Sequence, residues 1–384
     1  MLKKIATPFY LLVMALFAMQ LQAATLIPAA PQINARSYLV MDADTGQILA
    51  AKDEDKRYPP ASLTKMMTAY ILEYELNKGN VSQDDLVLIS EKAWRTQGSR
   101  MFIREGTQVK LGDLMKGIII QSGNDASVAV AEHIAGSESA FADLMNQHAR
   151  LLNMDNSHFQ NATGLPGENH YASAHDLAVL AQAIINRFPE HYGIYSEKYF
   201  TYNKIRQPNR NKLLWRDKTV DGLKTGFTNA AGYCLVASAK RDGMRLISVV
   251  MGAKDENARA QESQKLLAYG FRYFRTHKLY GANEVLNSAK VWGAMKDQVS
   301  LGLDQSLTVT IPRGQADKLQ ASMDIDKVIE GPVRKGQVFG KARVMLGDQL
   351  VAEQPLIALE DIEEAGLMKR IWHAILMFFM SLIG

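Results

Sequence analysis

Three short groups of residues carry side chains that could do covalent chemistry together. In Ser62-Leu63-Thr64-Lys65 a hydroxyl and an amine stand three positions apart, a spacing that puts both on one face of a helix. A serine hydroxyl is a weak nucleophile at neutral pH, and an adjacent amine kept unprotonated by burial can activate it. A helix N-terminus at Ser62 would also favour negative charge developing there. In Ser122-Gly123-Asn124 a second hydroxyl could relay a proton to a leaving group, and the amide could donate to a substrate carbonyl. In Lys224-Thr225-Gly226 a lysine and a threonine on a strand edge can bind a carboxylate, while the glycine lets a substrate backbone come close. Each group also has a plain structural reading: a surface helix start, a helix N-cap, and a turn before a strand.

The elements that must hold these groups are legible in outline. Pro60 suits a first helical turn, and Leu63, Met66, Met67, Tyr70, Ile71 and Tyr74 recur at the spacing of a buried helical face, ending near Lys78-Gly79. From Leu111 to Leu152 the composition is helical, interrupted at Ser122-Gly123-Asn124 and at Gly136-Ser137. Ser173 opens another helix, with Asp176 where a capping box places an acid. Ser37 to Met41 and Gln47 to Ala51 read as a hairpin around Asp42 to Gly46. Tyr233 to Ala239 and Arg245 to Met251 read as strands joined at Arg241-Asp242-Gly243, and a helix from about Ala258 to Phe274 closes the unit. These segments predict a mixed α/β (α+β) domain.

After Thr276 the pattern changes to short strands, among them Leu307 to Ile311, Gln337 to Met345 and Leu350 to Ala358, with a hairpin turn at Gly347-Asp348. This predicts a small all-β domain ending near Ile362, with no chemistry of its own. In the final segment Leu367, Ile371, Ile375, Phe378 and Leu382 line one helical face, and Lys369, Arg370 and His373 cluster at the start of the other. The apolar part is far too short to span a bilayer, so an amphipathic helix lying in the membrane interface is expected, with Lys369 and Arg370 facing anionic lipid. The alternative is a terminal helix packed on the β domain. At the other end, Lys3 and Lys4, an apolar run from Tyr10 to Met19 and the small pair Ala23-Ala24 read as a cleaved secretory signal; an N-terminal membrane anchor would need roughly 20 apolar residues. Export followed by tethering to the membrane surface is the expectation, with the chain divided as signal 1–23, catalytic domain 24–275, β domain 276–362 and anchor 363–384.

Composition agrees with that division. The 384 residues are 47% hydrophobic and 22% charged, too apolar and too evenly charged for a disordered chain, and long enough for two domains. The 44 Lys and Arg against 40 Asp and Glu leave a net charge of +4 with no long basic run, which argues against a nucleic-acid-binding surface. The single cysteine, Cys234, cannot form an intramolecular disulfide, so stability must come from packing.

Taken together and in this order, S-x-x-K, S-x-N and K-T-G are the signature of penicillin-recognising serine enzymes. The chain resembles the low-molecular-mass penicillin-binding proteins that are serine-type D-alanyl-D-alanine carboxypeptidases. The resemblance runs through the signal, Pro60 to Thr68, Gln121 to Ala126, Arg206 to Trp215, Val220 to Ala237, the β domain and the terminal anchor. It implies that Ser62 is the acylated nucleophile, Lys65 its general base, and Ser122, Asn124 and Lys224 the proton-relay and positioning groups. It further implies an oxyanion hole from the amides of Ser62 and Phe227, with Thr225, Gly226 and Arg259 at the substrate's terminal carboxylate. Arg259 is placed by its distance after K-T-G rather than by a motif, and the role of Arg210 stays open. The implied substrates are peptidoglycan stem peptides on the periplasmic face of the cytoplasmic membrane, with β-lactams as covalent ligands and no metal or cofactor.

Two departures stand out: Phe227 occupies a position usually polar in relatives, and the loop Arg95 to Arg100 is shorter than in some of them. Three rivals fare worse. A class A β-lactamase needs a glutamate in an E-x-x-L-N context between S-x-N and K-T-G. Glu73-Tyr74-Glu75-Leu76-Asn77 matches the string but lies on the wrong side of Ser122, roughly 16 Å along the helix from Ser62. A catalytically silent wall-binding protein would show damage to a motif, and all three are intact. A zinc peptidase lacks H-E-x-x-H among its eight histidines, and His170 and His175 read as surface or capping residues.

Overall fold

The computed structural model describes residues 27–383. The expected signal at 1–23 lies outside the described residues, and so does the Leu382 side chain. Five strands form the central sheet: β1 (Ser37–Asp42), β2 (Ile48–Lys52), β3 (Val220–Thr228), β4 (Gly232–Arg241) and β5 (Met244–Ala253), in the order β2-β1-β5-β4-β3 with every neighbouring pair antiparallel. The longer helices are α1 (Lys65–Lys78), α2 (Asn124–Ala135), α3 (Glu138–Leu151), α4 (Ala174–Arg187), α5 (Glu256–Tyr273) and α6 (Leu367–Ile383).

Successive side chains of a strand leave opposite faces of the sheet, and here both faces are covered. Leu39, Met41, Val236, Ile247 and Val249 enter a core closed by α4 and α1, while Tyr38, Val40, Leu235, Leu246 and Val250 enter a second core under α5. Burial on both sides is why these strands read as continuous apolar runs. Strand β3, which the sequence suggests only as a strand edge at Lys224-Thr225 or a turn before β4, is the sheet's edge; its Asp and Gly residues are poor strand formers, and pairing to β4 holds it in place.

The expected helix after Pro60 begins later than its apolar spacing suggests. Ala61–Thr64 is a 3-10 turn, so Ser62 sits in a tight turn ahead of α1 rather than on it. The helix then runs through the core, buried all round from Lys65 to Glu73. Its polar side chains are therefore matched internally, as when Thr68 donates to the Ala162 carbonyl at 2.8 Å. Glu73 accepts from the Tyr195 hydroxyl at 3.0 Å, and burial pushes its carboxyl up to about 8. The helical region after Leu111 breaks where expected, at Ser122-Gly123 and at Gly136-Ser137. Ser173 caps α4 by accepting from Asp176 N at 3.1 Å, but the Asp176 carboxylate does not complete a capping box. It turns instead to Asn156 N and Ser157 Oγ.

The β domain follows α5 without a linker. Its strands are β6 (Phe274–Tyr280), β7 (Asn287–Trp292), β8 (Gln298–Gly302), β9 (Leu307–Pro312), β10 (Leu319–Ile325), β11 (Ile329–Glu330), β12 (Val338–Leu346) and β13 (Gln349–Ala358). A six-stranded sheet in the order β10-β12-β13-β8-β7-β11 and the pair β6-β9 enclose a separate core that includes Val291, Leu301, Val309, Val344 and Leu356. Contacts to the larger domain include polar ones, in which Thr45 and Thr310 hydroxyls meet at 2.7 Å, Thr276 donates to Asp42, and Arg313 donates to the Phe271 carbonyl at 2.9 Å, while Phe274 packs into the core under α5.

Helix α6 packs on the β domain, as the alternative reading of the terminal segment has it. Its polar side docks on the β domain: His373 Nδ1 accepts from Gly293 N at 2.8 Å, Lys369 pairs with Asp297 at 2.8 Å, and Arg370 pairs with Glu364 at 3.0 Å. Lys369 and Arg370, expected to face anionic lipid, thus have carboxylate partners at the surface. Leu367, Ile371, Trp372, Ile375 and Phe378 stay exposed. Among the described residues no helix is long and apolar enough to cross a membrane.

The cap of α5 gives a direct test of how this element is held. Asp255 accepts from Ala258 N at 2.7 Å, so Asp255→Ala should cost about 1 kcal/mol. A lower midpoint in thermal unfolding followed by circular dichroism is the expected result; an unchanged midpoint would show that the cap contributes nothing.

Candidate active site

The three sequence motifs arrive at one place from three elements, and Lys65 is where they meet. Its Nζ lies 3.2 Å from Ser62 Oγ, 2.6 Å from Asn124 Oδ1 and 2.6 Å from the Thr163 carbonyl oxygen. The side chain is fully buried. Burial, then the positive charge of Arg210, lower its pKa to about 7, against a weaker opposing pull from Asp125. An amine that is partly neutral at neutral pH, within hydrogen-bond reach of a half-buried serine hydroxyl, is equipped to take a proton from it.

The second motif supplies Asn124 as the first residue of α2. Its Nδ2 donates to the Gln97 carbonyl and its backbone N–H to the Ser99 carbonyl, both at 2.6 Å, leaving the second N–H of the amide for another acceptor. The short loop Arg95 to Arg100 is thus wrapped on Asn124. Gly98 makes that approach possible: its φ is +97°, and a Cβ there would sit 2.6 Å from Asn124 Nδ2. Ser122 adopts a left-handed conformation, φ 66°, and its buried Oγ has no hydrogen-bond partner among the described residues. A buried hydroxyl without a partner is costly, which marks it as a group awaiting one.

The third motif lies inside β3. A Cβ on Gly226 would stand 3.0 Å from the Pro60 carbonyl and 3.2 Å from Ser62 N, so the missing side chain lets the strand lie against the serine turn. Lys224 is buried, and burial followed by the charges of Lys65, Arg210 and Arg259 holds its pKa well below the usual lysine range. Thr225 is buried beside it. Arg259, from α5, donates to the Gly226 carbonyl at 3.2 Å, which brings it to the same strand. Phe227 is half exposed and lies on the Tyr233 ring with centroids 4.3 Å apart; Tyr233 in turn lies under the Arg259 guanidinium at 5.5 Å.

The D-alanyl-D-alanine carboxypeptidase family model matches residues 24–255. The chain belongs to that family. A second model, described as the C-terminal domain of penicillin-binding protein 5, matches residues 274–364. D-alanyl-D-alanine carboxypeptidase DacC of Escherichia coli K12 is 43% identical over 377 residues, covering 96% of this chain and 94% of its own. Among solved structures, penicillin-binding protein 5 from Haemophilus influenzae aligns with a TM-score of 0.83 at 43% identity, covering 88% of this chain and all of that one. The Streptomyces K15 DD-transpeptidase aligns with a TM-score of 0.60 at 27% identity, covering 64% of this chain and all of that one.

Within this carboxypeptidase, several residues that the motifs do not contain build the site. Thr163 offers its carbonyl to Lys65, and Asn161 Oδ1 holds that turn by accepting from Thr163 N, Thr163 Oγ1 and Gly164 N at 2.7 to 3.1 Å. The Asn-x-Thr-Gly turn chemistry is visible in the sequence, but not its place beside Lys65. Asp125 accepts from the backbone N–H groups of Met101, Phe102 and Ile103 and fixes the segment after the short loop. His170 is not the surface or capping residue expected: it is buried, with Nε2 at 2.8 Å from Thr64 Oγ1. Burial, then the charges of His158 and Lys65, lower its pKa to about 4, so it is neutral at physiological pH. His175 is exposed, at 3.1 Å from Asp55. Glu73 is bonded to Tyr195 and takes no part in the Lys65 cluster.

Gly164 tests how tightly the Ser62 turn is held. Its φ is +83°, and a Cβ would fall 1.8 Å from the Ala61 carbonyl oxygen. Gly164→Ala should cost upwards of about 1 kcal/mol of stability and slow covalent labelling by fluorescent penicillin at least tenfold. Labelling at the original rate would show that the turn yields without displacing Ser62.

Proposed function

We propose that the protein removes the terminal D-alanine from peptidoglycan stem peptides through an acyl-enzyme on Ser62. The observation that carries the assignment is the buried Lys65 amine at 3.2 Å from Ser62 Oγ with a pKa near 7. Neutral Lys65 takes the Ser62 proton as Oγ attacks the carbonyl carbon between the two terminal D-alanines. Negative charge forms on the carbonyl oxygen, to which the backbone N–H groups of Ser62 and Phe227 donate as an oxyanion hole; one such donor typically supplies roughly 10²-fold or more in rate. The carbon–nitrogen bond then breaks, and a proton reaches the departing D-alanine amine through Ser122, whose Oγ, without a partner among the described residues, suits a relay, with Lys224 as a positioning group. Asn124 positions Lys65 and turns its remaining N–H to a substrate carbonyl. Thr225 and Arg259 bind the terminal carboxylate, and Gly226 lets the peptide lie close to β3. Water then attacks the acyl carbon, with Lys65 again as base, and frees the shortened peptide.

A β-lactam follows the first half of this course and stays attached, because no glutamate stands in the deacylating position of a class A β-lactamase. The chemistry needs no metal or cofactor. The same reading divides the chain into signal 1–23, catalytic domain 24–275, β domain 276–362 and anchor 363–384. It places the mature protein on the periplasmic face of the cytoplasmic membrane, held peripherally by α6. The exposed Leu367, Ile371, Trp372, Ile375 and Phe378, opposite the side docked on the β domain, support that attachment; the attraction is hydrophobic, since Lys369 and Arg370 are already paired.

Ser62→Ala should abolish both D-alanine release from a peptide ending in D-Ala-D-Ala and covalent penicillin labelling; labelling at another residue would overturn the assignment. Because the working form of Lys65 is the neutral amine, the acylation rate should rise with pH through about 7 and level off above it. A rate flat from pH 5 to 8 would remove Lys65 as base. Deleting residues 367–384 should move the protein from the vesicle pellet to the supernatant in sedimentation with anionic phospholipid vesicles, and continued binding would remove α6 as the anchor.

A further inference from the structure

The surface next to the site carries two exposed aromatic rings in contact, each with a cation above it and no acid to neutralise it. Tyr199 and Trp215 are 44% and 42% exposed, with ring centroids 5.9 Å apart in an edge-to-face arrangement. The Arg206 guanidinium lies 3.9 Å from the centre of the Tyr199 ring, and Lys198 Nζ lies 5.9 Å from that of Trp215. Neither cation makes an ion pair among the described residues. The acids nearby are otherwise engaged: Glu197 pairs with Lys116 at 3.1 Å and Glu256 with Lys212 at 2.8 Å. Exposed single aromatics need no explanation, but a contacting pair with uncompensated positive charge is a surface suited to apolar ring faces that alternate with carboxylates.

The shelf is rigidly joined to the site. Asn209 donates its backbone N–H to the Lys198 carbonyl at 2.8 Å and its side chain to the Glu197 carbonyl at 3.1 Å. Two residues on, Asn211 donates to the Gly222 carbonyl at 2.8 Å, on β3 just before Lys224. Between them stands Arg210, a cation with no ion pair among the described residues though within the field of Glu256, and its charge reaches both Lys65 and Lys224. On the other side Gln207 donates to the Arg100 carbonyl at 3.2 Å, tying the hairpin of Arg206 to the short loop that holds Asn124. A chain leaving the Ser62 turn toward the shelf would therefore pass a line of unpaired positive charge.

We propose that Lys198, Tyr199, Arg206 and Trp215 form an accessory subsite that binds the anionic saccharide–peptide strand of polymeric peptidoglycan while the end of one stem peptide reacts at Ser62. Saccharide rings present C–H faces to Tyr199 and Trp215, and stem-peptide carboxylates meet Lys198 and Arg206. A single-stranded nucleic acid has a related pattern of rings and charges, but only the wall strand is continuous with a substrate already bound at β3. The proposal deepens the reading of Ser62 and rests on it for the identity of the strand.

The test compares the intact chain with Lys198→Glu/Arg206→Glu and with Trp215→Ala, none of which alters a group assigned to acyl transfer. With a short acylated tripeptide ending in D-Ala-D-Ala, kcat/KM should stay within about twofold for all three proteins. With soluble uncrosslinked glycan–pentapeptide strands it should fall about tenfold in the double variant, the effect of reversing two exposed charge contacts. Raising salt should slow the unaltered protein on the strands and leave the double variant nearly unaffected. Equal losses on both substrates, or none on the strands, would overturn the subsite. Cosedimentation of Ser62→Ala protein with insoluble peptidoglycan reads the subsite without acyl transfer: adding the double charge reversal should lower the bound fraction several-fold. That result would hold even if Ser62 proved not to be the nucleophile, and an unchanged bound fraction would reject the subsite alone. Displacement from the wall polymer by an equal concentration of single-stranded oligonucleotide would also reject it, as the mark of a general polyanion surface.

Discussion

Everything around the site follows from placing the amine of Lys65 in the protein interior. A charged ammonium there is costly unless it is matched or loses its proton, and this structure uses both remedies. Three oxygens from three separate segments surround the amine: Ser62 in the turn before α1, Asn124 at the start of α2, and Thr163 in a loop. Burial and the charge of Arg210 meanwhile bring its pKa to about 7. The amine is matched only when all three segments are in place, so the condition for burying it is also the condition for assembling the site.

That requirement explains the unusual backbone nearby. Gly98, Gly164 and Gly226 stand where a side chain would strike Asn124 Nδ2, the Ala61 carbonyl and the serine turn, so each marks a point where backbone must approach the Lys65 cluster more closely than a Cβ permits. The polar groups that hold these approaches are fixed in their turn. Asn161 organises the Thr163 turn, Asp125 the segment after the short loop, and neutral His170 the Thr64 hydroxyl. The double-sided sheet supplies the rigid edge, β3, against which this is built.

The rest of the chain serves placement. The β domain has its own core and meets the larger domain through hydroxyls, a backbone carbonyl and the Phe274 ring, which packs into the core under α5. Helix α6 uses its polar side to dock on that domain and leaves its apolar side uncovered, which fixes the direction in which the apolar face points. The basic residues expected to face lipid have carboxylate partners in that docking.

The sequence by itself determined which residues the fold gathers at the site and the outline of the elements. S-x-x-K, S-x-N and K-T-G name Ser62, Lys65, Ser122, Asn124 and Lys224 because covalent chemistry demands particular side chains at local spacings, and local spacing is what a sequence records. The β-rich character of the second domain and the breaks near residues 122 and 136 were legible for the same reason. Only the tertiary structure decided what lies across from each motif. That Thr163, Asn161 and Gly164 close on Lys65, that the short loop grips Asn124, and that His170 is buried at Thr64 are contacts between segments far apart in the chain. Strand β3 was legible only as a strand edge at Lys224-Thr225 because Asp221, Gly222 and Gly226 interrupt its strand-forming residues and pairing to β4 holds it, and Ser62 was placed on the helix because a 3-10 turn and an α-helix share nearly the same apolar spacing. Contacts of this kind are set by packing and by the cost of unmatched buried polar groups, and neither leaves a local signal.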